Sequence, residues 1–318
     1  MRQFYSQNHR FGSSLFQHLI AVLYLVTSVN PVTASTVVKQ AEIYKIRNQV
    51  DINLAKTTNW HQAKPGDVIV PRDAVRTGAN SRADILFNEG TLVRTGAGTT
   101  FRFPPGKRNF ELTSGAAIIM IRPGQGQSII NTPEAKITTQ GTALFVQHNP
   151  ANNSSLIGVL TDSPAGLVEV KTTDGKIILQ LQAGQFVSIV QGVVGLVEHF
   201  VLPMFYETVE LASGLGMEPE AMEALLAQEP AEVQATIRAV QTEAIAPLQN
   251  QLAWLEGFCK LRPETQKMSS LLQLWGIVSV GELESKMLEK NLSLIPFRSL
   301  GAITWLEEYC QENSPRQL

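Results

Sequence analysis

Between Gly66 and Phe101 short apolar runs alternate with glycine-bearing turns about every ten residues, and that rhythm admits little besides short β-strands. Gly66-Asp67, Thr77-Gly78 and Ala97-Gly98 mark the turns. Ala83, Ile85 and Phe87 fall on one face of an extended strand, and Asp84 and Asn88 on the other. Asn88-Glu89-Gly90 is a polar loop ahead of the apolar pair Leu92-Val93. It predicts a hairpin whose glycine takes positive φ.

The same reading holds to about Val190. Ala117 to Arg122 is a continuous apolar run closed by Pro123-Gly124, too short for a typical helix, and predicts a buried strand. Lys136 to Thr139 and Thr142 to Val146 are strands hinged at Gly141, and Asp174-Gly175 turns two further strands into a hairpin. Ile189 to Val197, broken by polar residues and glycines, reads as buried strand. Arg102 to Arg108 is a polar break. Past about residue 200 the apolar period becomes helical. Pro219 sits inside one helix with Met222, Leu225 and Leu226, and Pro230 starts another with Val233, Ile237 and Val240. Pro247 should kink or break it before Leu248, Leu252 and Leu255. Ser279 and Glu282 form a capping box, and Ser299 to Tyr309 is a last short helix.

The N-terminus reads as a secretory signal peptide. Arg2, His9 and Arg10 lead, Leu19 to Val29 is apolar, and Val32-Thr33-Ala34 supplies small residues before Ser35. The expected divisions are a signal peptide at 1–34 cleaved after Ala34, a β-domain at 35–200 and an α-helical region at 201–318. Cleavage removes two of 26 basic residues and none of the 28 acidic ones. The mature chain is then mildly acidic, which argues against a nucleic-acid partner, and no second apolar run is long enough for a membrane span. The expected location is periplasmic or extracellular.

The β-region resembles the FecR domain family. The matching motifs are Gly66-Asp67, Val75 to Gly78, Ser81 to Phe87, Glu89-Gly90-Thr91, Phe110 to Gly115, Thr132-Pro133, Gly141-Thr142, Gly166 to Val170 and Gly184-Gln185, in the family's order. Glu89 stands where the family usually has Asp, and Leu144 where an aromatic usually follows Gly-Thr. The resemblance implies a twisted, solenoid-like or sandwich-like all-β domain. In the best-known members this is the periplasmic half of a transmembrane anti-sigma regulator. Here only some 14 residues precede the apolar segment, so sigma-factor regulation is not carried over. The chain instead looks like the exported, stand-alone FecR-domain proteins of bacteria.

No catalytic signature accompanies this pattern. His61, His148 and His199 are widely separated, and Glu134, Asp162, Glu169 and Asp174 sit at turns or polar faces. No P-loop, G-x-S-x-G or H-E-x-x-H pattern occurs. No cofactor or metal is expected. Arg76, Arg82 and Arg94 read as a ligand-facing row for carboxylate or sugar groups, or else Arg76 and Arg82 brace neighbouring turns by bonding to backbone carbonyls. Cys259 and Cys310 either pair in an oxidising compartment or stay as two buried thiols. The functional expectation is a non-enzymatic envelope protein that binds or scaffolds a protein or a cell-wall glycan, with the helical tail free to form a homodimer. A periplasmic signalling component working with a separate membrane regulator is the alternative, and a wall-polymer enzyme a third.

Overall fold

The computed structural model describes residues 37–55, 57–260, 305, 306, 308–310 and 312. The expected signal peptide, its expected cleavage after Ala34 and the expected Ser279/Glu282 capping box lie outside the described residues. The β-part comprises β1 (Ala41–Arg47), β2 (Val50–Asn53), β3 (Trp60–Gln62), β4 (Asp67–Ile69), β5 (Ala74–Thr77), β6 (Arg82–Phe87), β7 (Leu92–Thr95), β8 (Thr100–Arg102) and β9 (Asn109–Met120). It continues with β10 (Ser128–Asn131), β11 (Ala135–Thr139), β12 (Ala143–Asn149), β13 (Ser154–Val159), β14 (Val168–Thr172), β15 (Ile178–Leu181), β16 (Gln185–Val190), β17 (Val193–Val194) and β18 (Glu198–His199). Helices α1 (Leu202–Thr208), α2 (Pro219–Leu226) and α3 (Ala231–Lys260) follow, with a 3-10 turn at Glu210–Ala212 between the first two. The fold is mainly β, then helical, as the residue pattern predicts.

The strands form two face-to-face layers. One runs β4-β1-β6-β7-β9-β12-β13-β16, with β17 and β18 pairing on β16. The other runs β3-β2-β5-β8-β9-β10-β11-β14-β15. The long strand β9 belongs to both, and it changes layer at Gly115, where φ is +78°. A Cβ there would lie 2.4 Å from Thr99, so glycine alone lets the two backbones approach. Ile43, Ile85, Phe87, Val93, Phe101, Phe110, Ile119, Leu144 and Ile157 fill the space between the layers. Phe87 meets Phe103 and Phe110 edge-on at 5.2 and 5.0 Å.

The middle of the first layer is buried on both faces. Leu92, Ile118, Met120, Phe145 and Leu156 point outward and pack under Phe205, Val233, Ile237 and Val240 of the helices. This double burial explains the continuous apolar run of β9, because neither face meets water. Of the two outcomes expected at Pro247, a break does not occur: α3 runs through it. Its ring removes the hydrogen bond to Glu243, and the freed Glu243 carbonyl accepts instead from the Asp162 backbone N–H at 3.2 Å. Residues 189–197 are not a buried strand either. Ile189 is buried, but Val193 and Leu196 are 71% and 82% exposed, because only the two-residue strands β17 and β18 lie beyond β16.

Candidate functional site

Two of the three arginines meet at the seam between the outer face of the first layer and the helices. Strand alternation sends Arg82 and Asp84 of β6 and Arg94 of β7 outward, opposite Ala83, Ile85 and Val93. Asp84, on the face that alternation alone marks as polar, is 1% exposed because the helical segment covers it. Arg82 grips Asp84 through two bonds, Nε to Oδ1 at 2.7 Å and Nη2 to Oδ2 at 2.8 Å. Burial alone would lower the Arg82 proton affinity, but the hydrogen bonds and charge of Asp84 outweigh it and hold the guanidinium above its ordinary pKa. Tyr44 Oη donates to Asp84 Oδ2 at 3.3 Å, and burial pushes its hydroxyl pKa up.

Arg94 is 2% exposed. Its Nη1 donates to the carbonyls of Leu211 and Ser213, pinning the 3-10 turn to the sheet. Its Nε lies 3.6 Å from Asp84 Oδ2, beyond hydrogen-bonding distance, and has no hydrogen-bond acceptor. Burial lowers its pKa, and Asp84 opposes that. Together Arg82, Asp84 and Arg94 line a cavity of about 270 Å³ with Lys45, Ile46, Arg47, Glu210, Ser213, Leu225 and Glu229. Lys45 pairs with Glu229 at 2.8 Å, and Arg47 and Arg82 share Glu210, whose carboxyl the Arg47 hydrogen bond holds below its ordinary pKa. The cavity thus presents four cations against three carboxylates.

Arg76 is elsewhere. It lies on β5 in the second layer, pairs with Asp51 at 3.0 Å and stacks 4.4 Å from the Trp60 ring centroid. The structure therefore places no row of three arginines on one surface. Arg76 and Arg82 bond to the Asp51 and Asp84 side chains, and Arg82 also to the distant Glu210 carbonyl, rather than to neighbouring turns; Arg94 braces the helical segment through Leu211 and Ser213.

Other polar groups are tied into the fold. Arg108, within the stretch read as a polar break, is fully buried. It pairs with Glu89 at 3.0 Å and donates to Ser128 Oγ and Thr91 Oγ1 at 2.8 and 3.0 Å. Glu89 in turn accepts from the Thr91 N–H at 2.8 Å. Arg122 docks the Gly90 turn on α3: its Nε donates to Thr236 Oγ1 at 2.7 Å, and that hydroxyl is bonded to the Gly90 carbonyl. Gly90 has φ +92°, and a Cβ there would strike the Arg122 guanidinium.

The three histidines among the described residues do not converge. His61 and His199 are exposed, whereas His148 is buried on β12 with Nδ1 3.0 Å from Ser155 Oγ, which bonds to Thr132 Oγ1 at 2.9 Å. Burial lowers the pKa of His148, and the charge of Glu134 opposes it. Glu134 holds two loops, at Asn153 and at the Gly192 N–H. Among the described residues no group of three or more His, Cys, Asp or Glu side chains is arranged to hold a metal. Cys259 and Cys310 are joined in a disulfide, Cα to Cα 5.2 Å, packed with Leu255 and Leu306. Among the described residues no helix is long and apolar enough to cross a membrane.

A two-layered β-module with a helical cover is the class that this geometry defines. Residues 73–177 match the family model for FecR protein. Two crystal structures of a putative anti-sigma factor from Parabacteroides distasonis ATCC 8503 are similar. One is 20% identical with a TM-score of 0.35, covering 40% of this chain and 59% of that one. The other is 18% identical with a TM-score of 0.36, covering 42% and 64%. The chain thus spans about three fifths of the length of these structures. No curated protein matches it.

Proposed function

We propose that this chain is an exported, non-enzymatic protein of the cell envelope whose FecR-type domain docks a protein partner in a signalling step. The observation that carries this is the open end of the sandwich. Of thirteen exposed large apolar side chains among the described residues, seven lie between Leu167 and Val197, on or beside the last strands of both layers. Strand β15 pairs with β14 alone and shows Ile178 at 54% exposure, with Ile177 beside it. An uncharged edge strand with outward apolar side chains suits strand addition by a partner. The clustering of apolar groups marks contact surface rather than scattered exposure.

Export is supported by the apolar leader ahead of Ser35 and by the disulfide, which is expected to persist in an oxidising compartment. The dispersal of the histidines and acids supports a non-enzymatic role. The similarity to FecR protein supports a signalling context, with a separately encoded membrane regulator as the natural partner. Nothing among the described residues supports a wall-glycan ligand or a homodimer through the tail.

The test is crosslinking in the envelope of the source cell, with the tagged full chain against its Ile178→Lys and Val193→Lys variants. The expected result is one protein partner crosslinked to the wild type and lost in at least one variant of unchanged melting temperature. Retention of the partner by both folded variants would move the site away from these strands. N-terminal sequencing of the recovered protein should begin at Ser35.

A further inference from the structure

A cationic cavity closed by two parts of the chain far apart in sequence is more than the attachment of a helix to a sheet requires. Asp84 accepts from Arg82 and Tyr44 and lies 3.6 Å from Arg94 Nε, Glu210 pairs with Arg47 and Arg82, and Glu229 pairs with Lys45. That leaves the buried Arg94 with an Nε–H that no acceptor reaches, in a cavity carrying one more cation than anion. A buried guanidinium N–H without an acceptor is costly. Its planar donors match a carboxylate better than a spherical ion. Lys45 and Arg47 stand at the rim with side chains 59% and 52% exposed, so an anion meets cations on the way in. Ile46 and Leu225 supply an apolar wall.

We propose that this cavity binds a single carboxylate on a compact, partly apolar body, either a small organic acid or the C-terminal carboxylate of a peptide. The carboxylate accepts from Arg94 Nε and balances the surplus charge. Because the lining comes from β1, β6 and β7 on one side and from the 3-10 turn and α2 on the other, the bound acid ties the helical layer to the sheet. This inference is independent of the docking edge proposed above, since none of the cavity residues lies on β15 to β18.

The test is calorimetric titration of the full chain with butyrate and with N-acetylalanine, each against its neutral amide and against sulfate at equal ionic strength. Binding of at least one acid, with at least tenfold weaker binding of its amide and of sulfate, is expected. The tighter acid identifies the source: butyrate a free small acid, N-acetylalanine a peptide end. Arg94→Lys keeps the charge but moves the donor, and Arg47→Gln lowers the positive charge of the rim by one at an exposed position. Both should weaken binding at least tenfold, while Arg76→Gln, outside the cavity, should not. Failure of wild type to bind either acid overturns the proposal, as does equal binding of sulfate. Unchanged affinity in an Arg47→Gln protein with native circular dichroism also overturns it, even if Arg94→Lys fails to fold.

Discussion

The two apolar cores of this protein are closed in different ways. The core between the strand layers is aromatic and aliphatic, and the Glu89–Arg108 pair, between the β6–β7 turn and the start of β9, is sealed from water. The core between the outer sheet face and the helices is also apolar, but half-exposed ion pairs flank the buried Asp84–Arg94 cluster at its seam. In Lys45–Glu229, Arg47–Glu210, Arg82–Glu210 and Arg122–Glu232 the strand side supplies every cation and the helical side every anion. The composition divides in the same way: residues 37–201 carry 16 basic and 12 acidic side chains, whereas 202–260 carry nine glutamates against Arg238 and Lys260. A sealed pair stabilises only while both partners remain, and flanking half-exposed pairs orient a layer without holding it. The sandwich is therefore expected to survive conditions that loosen the helical cover.

Breaking the sealed pair should have the largest effect. Glu89→Ala strands Arg108 without its carboxylate and is expected to cost about 3–5 kcal/mol in urea unfolding. A cost below about 1 kcal/mol would mean that water reaches the site.

Phe205→Ala in the outer core should cost a similar or slightly smaller amount, about 3 kcal/mol, but locally. Phe205 packs edge-on against Phe145 and Phe200 at 5.5 and 5.6 Å. Amide exchange should quicken in α1 and α3 while β9 and β12 keep their protection. Uniform loss of protection would show one cooperative unit instead of two.

Acid should act on the inner core through His148. Its folded pKa lies below the ordinary 6.5 because burial disfavours the imidazolium. The unfolded chain therefore binds the proton first. Stability is full above pH 6.5 and falls as the pH drops from there toward the lowered folded value, by at most about 1.4 kcal/mol per pH unit. His148→Gln should flatten that slope between pH 7.5 and 5, measured from urea midpoints.

The smallest effect should come from the flanking pairs. Arg47→Ala removes a half-exposed partner of Glu210 and should cost about 0.2–1 kcal/mol, less at high salt. A larger loss would make the flanking pairs part of what holds the cover on.

Much of the sandwich was legible because period-two alternation and glycine turns are local. Ala83, Ile85 and Phe87 point inward as their spacing requires, and Gly90 takes the positive φ that its loop demands. The candidate site was only half legible. Arg82 and Arg94 could be singled out, but grouping Arg76 with them failed, since β5 and β6 belong to different layers. Arg108 carried no signal at all, because Pro104-Pro105-Gly106 and Lys107 disguise its stretch as a surface loop.

The amino-acid sequence by itself determined the short β-strands, their turns and the change to helical periodicity near residue 200, because each follows from backbone preferences and spacing within a few residues. Only the tertiary structure decided which polar faces meet water. Asp84 and Arg94 are buried by a segment more than a hundred residues later in the chain, and the carbonyl that Pro247 frees is satisfied by Asp162 in the loop after β13. The solvation of a charge depends on what covers it in space, and no local pattern of residues encodes that.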